Sequence, residues 1–185
     1  MDYAFVLSYN IMLIAQQKRE ENIAEYLLYM WQVEDLMRAC QLDLDKVDAM
    51  VIQRFGIEGE ERTAVRQWYG ELIDMMHGEG VAQCGHLRLT SNVLQRLTEL
   101  HNELINDPEQ APYQAHYFHT LPSIVMLRSK SGQATPPSEV ESCFNALYGV
   151  MLLRMQGKTI DPATTEAITQ ITELVRRLTK AYHSI

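Results

Sequence analysis

EYLLYMWQVEDLMRA, residues Glu25 to Ala39, is apolar enough for a protein core yet carries Glu34 and Asp35 near its middle. Its apolar residues return every three or four positions, the period of a helix buried along one stripe. Continued upstream, that stripe takes in Met12, Ile23, Leu27, Met30 and Met37, which predicts one helix from about Ile11 to Cys40. At 1.5 Å per residue it would be about 45 Å long. A helix of that length would cross a whole domain and act as its central pillar.

The same period recurs along the rest of the chain, with neither sustained alternation nor an Asn-Gly or Asp-Gly hairpin signal. A second helix is expected near Leu44 to Phe55, capped by Asp43 and stopped by Gly56, and a third near Glu60 to His77. GVAQCGHLRL reads as a loop, after which Thr90 or Ser91 would cap a fourth helix ending before Asp107-Pro108. A fifth spans about Ala111 to Ser131, kinked at Pro122, which removes one backbone hydrogen bond. TPPSEVE opens a sixth, with Val140, Phe144, Leu147, Met151 and Met155 on its face. DPATTEA opens a seventh, with Asp161 as cap and Pro162 at the first helical position. The fold class is therefore all-α: one domain over residues 1–185, a bundle of about seven helices around the long first one.

Most charges follow the helix dipole, acids at starts (Asp43, Glu60, Glu139, Asp161) and bases at ends (Arg38, Arg54, Arg154, Arg176). Each such charge contributes roughly 0.3 to 1 kcal/mol where exposed. The rule also disposes of Arg128-Ser-Lys-Ser-Gly132 as an anion loop, since carbonyls and not amides face outward at a helix end. Glu34 breaks the rule. At about 100° per residue it falls about 20° from Ile23, in the centre of the apolar stripe and toward the helix C-terminus. A carboxylate there must be paired, hydrogen-bonded or protonated. Arg38, one turn on, and Arg19, further up the stripe, are the expected partners. Asp35 points roughly 100° away, toward solvent.

Other constellations carry less chemistry. His116 and His119 lie one turn apart, a spacing that can hold one ion, but no HExxH or Glu-x-x-His supplies a third ligand, so no metal is assigned. Cys84-Gly85-His86 sets a thiol beside an imidazole, although catalytic pairs usually come from distant segments. There is no P-loop, no GxGxxG after a strand and no GxSxG, and no cofactor is implied.

Composition narrows the setting. A net charge of -8 with scattered Lys and Arg argues against nucleic acid as a partner. The apolar run Tyr3 to Leu7 is too short for a signal core or membrane span, which places the protein in the cytoplasm. Three widely spaced cysteines, Cys40, Cys84 and Cys143, read as free thiols.

On the segments MLIAQQKREENIAEYLLYMWQVEDLMRA, RQWYGELIDMMHGEGV followed by GHL, LPSIVMLRSKSG and ESCFNALYGVMLLRMQ, the chain resembles an uncharacterised family of small helical proteins from Bacteroidetes-type bacteria, catalogued as domain of unknown function 4924. The resemblance covers nearly the whole chain. It implies a bacterial cytoplasmic protein and no particular activity, substrate or catalytic residue.

Two functions fit these residues. One is a non-enzymatic interaction or scaffold protein, a homodimer or the partner of another protein, because Tyr26 to Met37 and Ala146 to Met155 are apolar nearly all round. The other is a small-ligand-binding or enzymatic bundle with a site at Trp31, Glu34 and Arg38, joined by His116, His119 or Arg128 from a kinked neighbour.

Overall fold

The computed structural model describes residues 10–131 and 137–184, and every regular element among them is helical. The run Tyr3 to Leu7, the side chain of Met12 and the link at 132–136 lie outside this description. Among the described residues there are eight α-helices: α1 (Asn10–Glu21), α2 (Ile23–Ala39), α3 (Leu44–Met50), α4 (Gly59–Gly78), α5 (Arg88–Asn106), α6 (Ala111–Ser131), α7 (Glu139–Met155) and α8 (Pro162–Tyr182). Short 3-10 turns at Ile52–Phe55 and Pro108–Gln110 precede α4 and α6.

The single first helix expected from Ile11 to Cys40 is instead two. Asn22, with φ -153° and ψ 92°, is extended, and its side-chain oxygen accepts from the Glu25 amide at 3.2 Å. Its Nδ2 donates to the Glu25 carboxylate at 3.0 Å. Asn-x-x-Glu before an apolar run is a helix-start signature, and here it outweighs the continuous hydrophobic stripe. The apolar period runs through because the break takes only one residue.

The chain forms two compact units, Met1–Asn92 and Val93–Ile185, and the boundary falls inside α5. In the first unit, α1 packs on α2 and α3 on α4. Ile23, Leu27, Met37, Val47, Ile52, Met76 and Leu87 are wholly buried there. Full burial of one such side chain is worth about 1.5 to 3 kcal/mol. In the second unit, α8 packs against α6 and α7, which also meet each other. Ile124, Phe144 and Ile171 lie at its centre.

Local signals place most of the ends. Asp43 accepts from the amides of Asp45 and Lys46, and Asp161 from that of Thr164 at 2.9 Å, as their positions predict. Gly56 stops the 3-10 turn at φ +65°. The α6 bounds are those expected, and the helix continues through Pro122. On α7 the outer half differs from expectation: Val140, Cys143, Phe144 and Val150 are buried, Leu147 and Met151 are half-buried, and Met155 is 72% exposed.

Replacing Asn22 by Ala is expected to lower the unfolding free energy by about 1 kcal/mol, the usual cost of a lost N-cap. Urea titration of the two proteins reads it. An unchanged midpoint would mean that packing, and not the cap, sets the break between α1 and α2.

Candidate functional site

Glu34 is the most buried charged residue described, with no solvent exposure. Its partners are not those the sequence suggested. Oε2 accepts from Nδ1 of His86 at 2.7 Å, and Oε1 accepts from the Leu87 amide at 3.2 Å and shares the Thr90 hydroxyl proton, 3.2 Å away, with the Leu87 carbonyl at 2.8 Å. All three donors belong to the loop before α5 and the first turn of that helix. The helix starts at Arg88, so Thr90 lies inside its first turn and is not its cap as expected. A carboxylate disfavoured near the C-terminus of α2 is thus stabilised by the N-terminus of α5, where amides and the dipole favour negative charge.

Arg38 lies 4.0 Å from Glu34, farther than a direct contact needs. Its closer partners are Asp35 at 2.9 Å and the carbonyls of Val81, at 3.1 Å, and Gly85. Arg19, the other expected partner, lies over the Tyr26 ring at 5.9 Å from its centroid. Trp31 stacks on His86, with ring centroids 4.2 Å apart and planes within 16°. Glu34, Arg38 and Trp31 therefore meet within the first unit, and what they grip is the loop from Val81 to Leu87. The chain turns just before that loop at Gly80 (φ +73°) and within it at Gly85 (φ +87°), conformations that a side chain disfavours.

A carboxylate oxygen accepts, so Nδ1 of His86 is the donor in this contact. The imidazole is about one-third exposed, and Nε2 has no hydrogen-bond partner among the described residues. Its neighbour Cys84 is exposed and free. The thiols of Cys40 and Cys143 are buried; burial pushes that of Cys143 up to about 12, which removes it as a nucleophile at neutral pH.

His116, His119 and Arg128 all belong to α6, in the second unit. His116 is half-buried and His119 exposed. Among the described residues no group of three or more His, Cys, Asp or Glu is placed to hold a metal ion. Arg128 donates to the Pro137 carbonyl at 2.6 Å and lines a groove of about 490 Å³ with Ala146, Gly149, Leu153 and Asp161.

A second buried polar group escaped the sequence reading. His101, 3% exposed on α5, has Nδ1 2.7 Å from the Tyr113 hydroxyl and Nε2 3.7 Å from the Glu139 carboxylate. The Tyr117 hydroxyl donates to that carboxylate at 2.7 Å. The Glu139 carboxylate, an acceptor, faces Nε2, so the tautomer that suits it carries the proton on Nε2 and takes the Tyr113 hydroxyl as donor to Nδ1. Burial lowers the His101 pKa from its ordinary 6.5, against the opposing pull of Glu139. Only the neighbours distinguish this histidine from an exposed one, and they come from α6 and α7.

The model of one protein family, Domain of unknown function (DUF4924), matches residues 12–185. The chain belongs to this family. Its match runs through both compact units of this DUF4924 protein and takes in the whole Glu34 cluster. No curated protein and no solved structure matches the chain.

Truncating Glu34 to Ala leaves the Leu87 amide and His86 without their acceptor, so a loss of about 3 kcal/mol in unfolding free energy is expected. Thermal and urea melts followed by Trp fluorescence measure it; unchanged stability would remove the structural role. His101 gives a pH signature. Its lowered folded-state pKa means that the unfolded chain takes up the proton more readily. Stability should therefore be full above about 6.5 and decline as pH falls below it, and His101→Gln should flatten that slope in melts recorded between pH 5 and 8.

Proposed function

We propose that this protein is a non-enzymatic helical interaction protein that works as a homodimer in the bacterial cytoplasm. The observation that carries the reading is the apolar surface left exposed. Phe118 is 63%, Val125 54%, Leu153 36% and Met155 72% exposed, all on α6 and α7. Large apolar side chains left exposed on two helices that pack on each other are candidates for a contact surface. By contrast, α2 has no apolar surplus: Tyr26, Leu27, Met30, Trp31, Val33 and Met37 are buried within the protein.

The polar groups support the same reading. Glu34 and Arg38 are engaged with backbone and side chains of their own unit, and their geometry accounts for a pinned loop without a bound molecule. Free cysteines accord with a reducing compartment, and no described helix is long and apolar enough to cross a membrane. One family match over both units supports treating residues 1–185 as a single domain.

A native mass spectrum of the untagged protein tests the proposal. The expected species is twice the 21.3 kDa of the chain, with no added mass. A stable monomer at micromolar concentration would count against the dimer, and a retained small molecule would favour a ligand-binding bundle.

A further inference from the structure

Along α6, Ala111, Ala115, Phe118, Pro122, Val125 and Ser129 follow one another at spacings of four and three, and all six are exposed. This is the a and d spacing of a two-helix seam. The opposite face of the helix, with Tyr113, Tyr117, Thr120 and Ile124, is buried in its own unit. No Asp, Glu, Lys or Arg occurs from Ala111 to Leu127, although 22% of the chain is charged. A surface helix normally carries charge on its outer side; this one carries Phe118 and Val125 there.

Building on the homodimer reading above, we infer that this seam is where two copies of the chain meet, with the two α6 helices antiparallel. Each copy carries a net -8, so two copies repel over most of their surfaces and least over a face that holds no charge. The side chains are self-complementary in size. A two-fold axis crossing the exposed seam midway between Phe118 and Pro122 sets Phe118 against Pro122 and Ala115 against Val125 of the second copy, larger residues against smaller ones, and the small Ala111 against the small Ser129.

Orientation follows from the helix ends. Glu109 is exposed just before α6, and Arg128 lies in its last turn. Parallel pairing would bring the two Glu109 carboxylates to one end and align the dipoles. Antiparallel pairing separates the carboxylates by roughly 30 Å of helix, turns each toward the basic end of the other and opposes the dipoles. The two-fold closes the pair and leaves no copy of the seam open for further addition.

Sedimentation of the wild type beside Phe118→Glu and Val125→Glu tests the surface. Both sites are exposed, so circular dichroism should show unchanged helix content, while the variants sediment at half the wild-type mass. A dimer that persists in both variants overturns the seam and leaves the homodimer standing; a monomeric wild type overturns both. Orientation is read by disulfide capture in a Cys84→Ser background. Mixed Ala115→Cys and Val125→Cys proteins should cross-link, and Ala115→Cys alone should not. Self-linking of Ala115→Cys, without the mixed product, would overturn the antiparallel arrangement.

Discussion

The first unit is organised around a single buried carboxylate. Glu34 has no contact with water, and a charge in that position is costly unless every lone pair finds a donor. The donors are an imidazole, a backbone amide and a hydroxyl, all from the segment that opens α5. The requirement works in both directions. The orphan amides at the start of α5 need an acceptor as much as the carboxylate needs donors, and Glu79 supplies another by accepting from the Arg88 amide at 2.6 Å.

The other members of the cluster follow from that constraint. Trp31, one turn before Glu34, forms a flat floor under His86. Arg38, one turn after it, reaches back to carbonyls of the same loop while Asp35 balances its charge. About two turns of α2 thereby hold seven residues of loop, which explains why a helix meant for the core carries an acid and a base so close together. In the second unit His101 and Glu139 form a smaller polar cluster, His101 bonded to the Tyr113 hydroxyl and Glu139 to that of Tyr117.

The same physics explains the contrast between the two apolar helices that drew attention in the sequence. On α2 the apolar residues surround a polar cluster and are buried with it. On α7 Val140, Cys143 and Phe144 are buried in the first half, and Leu153, Arg154 and Met155 of the last turn are exposed. On α6 the outward face carries Phe118 and Val125, and no Asp, Glu, Lys or Arg occurs from Ala111 to Leu127.

Local chemistry was legible from the sequence by itself: helical period throughout, caps at Asp43, Asp161 and Gly56, the bounds of α6, and the anomaly of Glu34 within an apolar stripe. Those features depend on residues a few positions apart. The break at Asn22 was also written locally, in Asn-x-x-Glu, but the longer hydrophobic stripe masked it. The tertiary structure alone decided what Glu34 binds, because His86, Leu87 and Thr90 lie more than fifty residues away and no spacing rule connects them. It also decided which apolar faces stay exposed, since burial depends on which helices pack together, and the sequence of one helix does not state its neighbours.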